Sequence, residues 1–319
     1  MLDFEHPIKE MKDRIDGLKT LRPPLPFKIH EEIQKLEKKY QKALADMYKN
    51  LSPWQKVQVA RTPERPKSKD YIGNMMDVFT PLSGDRLFGE DTAVSCGIGI
   101  FRGLSILIMG HEKGHDTPSR VHHNFGMASP EGYRKATRLM LLAERFRLPI
   151  VFLVDTPGAA AGTQAEERGQ AQAIAECIDI SLKIDVPIIS VVIGEGGSGG
   201  AVAFGTANYI AMLEHSVYSV ISPEGCASIL WRTAAKKEEA ALAQKLTAHN
   251  LKQLGVIDEI IPEPVGGAHR HQQETIDRVS ECLFNQLKIM QGQTCFAEKR
   301  RKKFLAMGRT LEKGAIVLS

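Results

Sequence analysis

Between Ile29 and Leu51 the apolar residues fall at Ile29, Ile33, Leu36, Tyr40, Ala43, Met47 and Leu51. This spacing, mostly four and three, predicts a long helix over about 29–51 with one narrow apolar stripe. At 1.5 Å per residue it would be about 33 Å long. Such a stripe packs either on its own chain or on another subunit. Pro23, Pro24 and Pro26 separate it from an earlier short helix. The segment RTPERPKSKD that follows is proline-rich and charged, and reads as a boundary.

The pattern then changes. AVSCGIGIF and LSILIMG read as two strands joined through Arg102 and Gly103, a hairpin. Pro130 to Arg147 reads as a helix, with Pro130 at its start and Ser129 as its cap. PIVFLVD and PIISVVI are apolar without alternation, as strands buried on both faces are. QAEERGQAQAIAECIDISLKI between them is helical, so Pro149 to Ile193 forms a right-handed parallel strand–helix–strand unit. NYIAMLEH and YSVIS are further short strands. The last third is mainly helical, interrupted at IIPEPVGGAHR. The two central strands each end in a glycine-rich turn, DTPGAAAG and GEGGSGG, and this pairing is the most informative feature of the chain.

Composition narrows the class without choosing a function. The chain is 43% hydrophobic and 25% charged, with a net charge of +4, which tolerates an anionic substrate without demanding a nucleic-acid partner. No apolar run approaches the roughly 20 residues of a membrane span. MLDFEHPIKEMKDRID lacks the apolar core of a secretory signal. The five cysteines are dispersed, with no C-x-x-C, which points to reduced thiols and a cytoplasmic protein without a bound metal.

Several short patterns are weak. His111-Glu112-Lys113-Gly114-His115 spells H-E-x-x-H, yet that motif binds zinc only on a helix, and here it follows a strand between two glycines. No role is assigned to His111, His115, His122 or His123. Asp155-Thr156-Pro157-Gly158 resembles D-x-x-G, but no phosphate-binding loop accompanies it. Gly194, Gly196 and Gly199 spell a dinucleotide fingerprint, with Glu214 downstream, but lie late in the chain. The KRRKK run from Lys299 to Lys303 reads as one solvated helix face. Gly196, Ser198 and Gly200 spell the G-x-S-x-G elbow of serine hydrolases, with His249 and His269 downstream but no HGGG-type segment upstream.

If Ser198 instead caps a helix, Gly199 and Gly200 occupy its first turn. Their N–H groups have no partner inside the helix, the helix dipole favours negative charge there, and glycine leaves room for a carbonyl. That combination describes an oxyanion hole, in which one donor contributes about 3–4 kcal/mol to a barrier. The turn from Gly158 to Gly162 comes off the neighbouring strand and could line the same pocket.

DTPGA, AEERGQ, GEGGSGGA and SVISPEGCASILW, with FGMASPEGYRKA upstream and IPEPVGGAHR downstream, closely resemble the alpha subunit of bacterial acetyl-coenzyme A carboxylase carboxyltransferase. The resemblance runs to about residue 295. It implies an α/β, crotonase-like fold of the ClpP/crotonase superfamily, a spiral of β-β-α units. It suggests a helical extension over 1–80, a carboxyltransferase core over 81–295 and a basic tail over 296–319. It implies transfer of a carboxyl group from carboxybiotin, on the biotin carboxyl carrier protein, to acetyl-CoA, giving malonyl-CoA at the start of fatty acid biosynthesis. The partners it implies are a carboxyltransferase beta subunit, which supplies half the active site, and biotin carboxylase, in an alpha2-beta2 heterotetramer within a larger complex. By motif, Gly199 and Gly200 would hold the ureido oxygen of biotin, with Gly196, Gly197, Ser198, Gly158, Ala159 and Ala160 lining its pocket. Gly200→Val would then abolish transfer and leave assembly intact. The family usually reads DTPGA[YF]PG; Ala160 and Ala161 here are expected to widen the pocket and loosen the turn. Two rival classes stay open: a stand-alone crotonase-type acyl-CoA enzyme, with Glu166 and Glu167 as its candidate acids, and a hydrolase using Ser198.

Overall fold

The computed structural model describes residues 2–20 and 27–308. Pro23, Pro24 and Pro26 lie outside these, as do residues 309–319 of the basic tail. The strands are β1 (Val78–Pro81), β2 (Val94–Phe101), β3 (Leu104–His111), β4 (Ile150–Thr156), β5 (Ile188–Gly197), β6 (Tyr209–Leu213), β7 (Val217–Ser219) and β8 (Glu259–Ile261). They form one mixed sheet in the order β1-β2-β3-β4-β5-β6-β8, with β7 paired to the far end of β5. The expected hairpin is β2 and β3, antiparallel, turning at Arg102 (φ 45°) and Gly103 (φ 80°), both left-handed as a type I′ turn requires. From β3 onward every neighbouring pair is parallel.

The unbroken apolarity of β4 and β5 has the reason inferred from sequence. Ile150, Phe152 and Val154 face one core, with Tyr133, Leu139 and Met140 of the helix Pro130–Phe146. Val151 and Leu153 face a second core on the other side, with Tyr71, Ile72 and the helix Gln272–Met290. The helix Pro130–Phe146 starts at proline and stops where Arg147 turns left-handed (φ 54°). Ser129 holds the capping position but its hydroxyl makes no cap bond; its N–H instead donates to Asp91 Oδ2 at 2.7 Å. The helix expected between β4 and β5 is two, Thr163–Glu167 and Gln170–Lys183, broken at Gly169 (φ 79°).

The long N-terminal helix is Phe27–Lys49. Its apolar stripe is covered by the chain itself: Tyr40, Leu44 and Tyr48 pack against Ile8 and Ile15 of the helix His6–Lys19. Of the stripe read from sequence, Ile33, Tyr40 and Leu51 are buried within the chain, whereas Leu36, Ala43 and Met47 are only partly buried. Glu5 clips this pair to the main body, accepting from Tyr48 Oη and Arg270 Nη2, each at 2.7 Å.

Two arginines are buried outright. Arg65, inside RTPERPKSKD, is 1% exposed and donates two parallel bonds of 2.9 Å to Glu263 and a third to the Ile193 carbonyl. The KRRKK run is not one solvated face either. Arg300 is fully buried on the helix Phe296–Ala306, and its guanidinium donates to the carbonyls of Ser181, Ile184 and Val186 and to Asn208 Oδ1. Ser181 and Ile184 end the helix Gln170–Lys183, so the positive charge meets the negative end of a helix dipole and not a carboxylate. No helix among the described residues is long and apolar enough to cross a membrane.

His111 closes β3 inside the first core. It is wholly buried, stacks on Phe204 at 4.5 Å between ring centres, and neither ring nitrogen has a hydrogen-bond partner among the described residues. Burial pushes its pKa down to about 3 from 6.5. Between those values the unfolded chain binds a proton that the folded chain refuses. Stability therefore falls as pH drops below about 6.5, by at most about 1.4 kcal/mol per pH unit. His111→Leu should remove this loss. Measured by urea denaturation, the variant's unfolding free energy relative to the parent should improve by about 1 kcal/mol between pH 7.5 and 5.5. An unchanged difference would mean that His111 does not titrate in this way.

Candidate active site

The two glycine-rich turns meet at the carboxyl ends of β4 and β5. Up to Val154 the two strands run in simple register, Val154 opposite Val192; then Thr156 lies opposite Gly196, so β5 gains two residues in a bulge. Asp155 causes it. Its side chain is buried, and Oδ1 accepts the N–H of Glu195 at 2.9 Å in place of a ladder bond. That carboxylate fills the space where a side chain on Gly194 would begin, which is why the residue there is glycine. The dinucleotide fingerprint is thus a strand bulge, with Gly194 and Gly196 both inside β5.

Beyond the bulge the backbones press together. A side chain on Gly197 would overlap the Pro157 carbonyl. At Gly200 it would come within 2.9 Å of the Gly158 carbonyl carbon and of the Tyr133 hydroxyl, and 3.0 Å from Ala159 N. At Gly199 the nearest atom is the Ile174 methyl at 3.7 Å, an ordinary contact. The two glycines are therefore not equivalent. Gly200 is buried against the first turn, whereas Gly199 is half-buried and has room for a Cβ in ordinary contact with Ile174. This corrects the expectation for Gly200→Val: valine cannot fit without moving Gly158 and Ala159, so that variant would disturb the turn itself.

The helix Ser198–Gly205 begins here, but its cap is Gly197 and not Ser198. Ser198 is exposed, adopts φ 55° and makes no capping bond. Left-handed backbone at a non-glycine residue is strained, as in a nucleophile elbow. The elbow's partners do not follow. His269 packs on Tyr48 beside the N-terminal helices, His249 lies on the helix Ala248–Gln253, and no hydrogen bond from a described residue reaches the Ser198 hydroxyl. The N–H groups of Ser198, Gly199 and Gly200 precede the first N–H that donates within the helix. Among the described residues no loop or side-chain acceptor takes those of Gly199 and Gly200.

The first turn is firmly held. Thr156 Oγ1 donates to the Gly158 carbonyl at 2.6 Å and accepts Gly158 N–H at 3.1 Å. Ala160 N–H donates to the Ala128 carbonyl at 2.9 Å, and Gln170 Nε2 reaches the Ala160 carbonyl at 2.9 Å. All of these bonds use the turn's main chain, so they do not depend on the side chain at Ala160. Ala160 is buried and Ala161 exposed; Glu166 and Glu167 are both exposed on the next short helix.

Beneath the bulge lies a charge cluster that sequence reading missed. Lys113 Nζ contacts Asp155 Oδ1 at 2.8 Å and Glu195 Oε2 at 3.3 Å. Arg61 bonds Glu195 Oε1 through Nε (2.8 Å) and Nη2 (2.7 Å), and Glu224 through Nη1 (2.7 Å). Burial alone would raise the carboxyls of Asp155 and Glu195, but Lys113, with Lys67 at Asp155 and Arg61 at Glu195, outweighs it and holds both below the usual range. The signal was present: Asp155 is a lone charge ending an apolar strand, and Glu195 interrupts a glycine run. Lys113 lay inside the H-E-x-x-H decoy. The two histidines of that motif do not share a face, since His111 is buried and His115 is exposed beside Asp70 at 3.1 Å. His123 is also fixed, its Nδ1 2.6 Å from the Thr92 carbonyl.

The family described as acetyl co-enzyme A carboxylase carboxyltransferase-like matches residues 1–308. The acetyl-coenzyme A carboxylase carboxyl transferase subunit alpha of Rhodospirillum centenum is 55% identical over 311 residues, 97% of this chain and 98% of that protein. That of Paracoccus denitrificans is 56% identical over 310 residues, 96% and 98% respectively. Among solved structures, the beta subunit of P. aeruginosa geranyl-CoA carboxylase matches with a TM-score of 0.57 at 18% identity, over 78% of this chain and 46% of that longer one. A chain of the Pseudomonas malonate decarboxylase hetero-tetramer in complex with coenzyme A matches with a TM-score of 0.56 at 18% identity, over 70% and 88%. What these structures share with this chain is the crotonase-like α/β fold.

The packing makes a direct test. Gly197→Ala should cost about 1–3 kcal/mol, because the Pro157 carbonyl must move. Gly199→Ala should be neutral or slightly stabilising, having room and a lower unfolded-state entropy. Chemical denaturation of both variants would decide; equal costs would contradict the asymmetry.

Proposed function

The chain belongs to the acetyl co-enzyme A carboxylase carboxyltransferase family, and from that premise we propose that it forms the biotin-facing half of a shared active site. In this reading a beta subunit completes the site, and the biotin carboxyl carrier protein delivers the cofactor to it, in an alpha2-beta2 assembly with biotin carboxylase nearby. Bound carboxybiotin supplies an activated carboxyl group, which passes to acetyl-CoA and yields malonyl-CoA.

The residues of this chain act by position and charge. Gly199 and Gly200 N–H groups, at the positive end of a helix, would donate to the ureido oxygen where negative charge grows during transfer. Pre-set donors of this kind stabilise the transition state without moving. Gly158, Ala159 and Ala160 would form the facing wall, with Gly196, Gly197 and Ser198 shaping the entry. No side-chain acid or base is needed from this chain. One observation carries the reading: first-turn amides without protein acceptors stand at a helix start whose Gly199 side is clear. Beside Gly197 and Gly200 the space a Cβ would take is filled by the Pro157 and Gly158 backbone, so the half-buried Gly199 N–H, with no loop or side-chain acceptor among the described residues, is the donor that best fits a carbonyl oxygen of the cofactor.

The experiment is reconstitution. Alone, the chain should be inert; with a beta partner it should consume malonyl-CoA in the presence of biotin. Gly199→Val keeps the N–H but sets a branched side chain where the ureido oxygen would approach; shutting the oxygen off from that donor should lower kcat/KM by about 10²–10³-fold. Gel filtration should still show the assembled complex. Normal turnover by that variant would remove Gly199 from the site, and activity without the partner would remove the half-site reading altogether.

A further inference from the structure

Beside the first glycine turn lies a cavity of about 210 Å³, bordered by Arg61, Lys67, Lys113, Arg120, Pro157 and Glu195. Pro157 immediately precedes Gly158, so the cavity and the candidate biotin wall share one turn. Its lining carries four cations and one carboxylate. Two cations are already engaged: Arg61 with Glu195 and Glu224, Lys113 with Asp155 and Glu195. Two are not. Lys67 is only 4% exposed, yet its ammonium has neither a hydrogen bond nor an ion pair among the described residues. Arg120 has no ion pair there either and lies over the Phe125 ring, 5.4 Å from its centre. Glu112, another carboxylate close to Lys67, is occupied by the N–H groups of Lys69 and Gly114 at 3.0 and 2.9 Å.

A buried ammonium without a partner is costly. Burial, with the neighbouring cations Lys113 and Arg65, presses the Lys67 pKa below its ordinary value, and the nearby Asp155 and Glu112 only partly offset this. The cost falls once an anion enters, and the bond formed is charge-assisted. The volume lies below the roughly 300–1,000 Å³ of sites for drug-sized ligands, which favours a small group over a nucleotide.

We propose that this cavity binds a compact oxyanion, a phosphate or a carboxylate, held between Lys67 and Arg120. In the proposed reaction such a group is present twice on the acyl-coenzyme A, as the phosphates of the coenzyme and as the carboxylate of the malonyl unit. The proposal rests on the cavity and its unpaired cations, and stands or falls separately from the roles of Gly199 and Gly200.

The full-length chain would be titrated calorimetrically with inorganic phosphate and with malonate, against sodium chloride at matched ionic strength. Saturable binding of either anion is expected, weakened at least about tenfold in both Lys67→Met and Arg120→Met, a loss of about 1.4 kcal/mol. Lys67→Met also removes a cation that favours ionised Asp155, so its folding is checked by urea denaturation, and Arg120→Met, at a half-buried position, gives the second, independent reading. Preference for phosphate would assign the site to the coenzyme, and preference for malonate to the transferred carboxylate. Binding that only follows ionic strength, equal affinity in the variants, or no binding at all would overturn the proposal.

Discussion

Two backbones approach each other more closely than any side chain would allow. The Pro157 carbonyl occupies the space beside Gly197, and the Gly158–Ala159 peptide occupies the space beside Gly200. Everything distinctive about the site follows from that contact. It brings the ends of β4 and β5 into one wall, sets the start of the helix Ser198–Gly205 against the turn, and leaves Gly199 facing outward. The strain that closes the structure here is visible at Ser198, held at φ 55°.

Such an approach needs something to hold it, because the bulge in β5 gives up regular ladder bonds. The carboxylate of Asp155 supplies one replacement by accepting Glu195 N–H, and Lys113 binds both acids from the end of the β2–β3 hairpin. Arg61 then ties Glu195 to Glu224 on the helix Pro223–Trp231. Charges buried this way stabilise little by themselves, since desolvation offsets most of their attraction. Their effect is geometric: removing one partner would leave another uncompensated in the interior, so the arrangement is strongly preferred over its neighbours. The same logic recurs at Arg65 with Glu263 and at Arg300 with the carbonyl end of a helix. In each case a segment distant in sequence is fastened to the central sheet by a fully buried guanidinium.

Much of the fold was legible. The Arg102–Gly103 turn, the doubly buried β4 and β5, and the helix beginning at Pro130 all follow from local patterns, since turn chemistry and burial on two faces leave direct traces in residue type. The glycine turns were legible as a site for the same reason: glycine repeated at a strand end marks backbone contact. Less legible was what each glycine faces. Gly199 and Gly200 are neighbours with identical side chains, yet one has room for a Cβ beside Ile174 and the other is pressed against the opposite turn. The cap fell on Gly197 because Ser198 lies in a conformation its propensity would not suggest. The stripe from Ile29 to Leu51 was visible, but the helix His6–Lys19 that covers part of it was not, because amphipathic periodicity records a face and not what covers it.

The sequence by itself determined the strand order's building blocks, the two glycine-rich turns and, through long shared motifs, the family. Those properties are local: they depend on residues within one turn or one strand. Only the tertiary structure decided which charges are buried together, why KRRKK is split between the interior Arg300, a half-buried Lys303 paired with Asp258 and the exposed remainder, and that Lys67 and Arg120 line a common cavity. These pairings join positions 40 or more residues apart, and nothing in a linear pattern encodes which distant charge compensates which. The reason is physical: the free energy of a buried ion depends on the full set of dipoles and counter-ions around it, and that set exists only after the chain has closed.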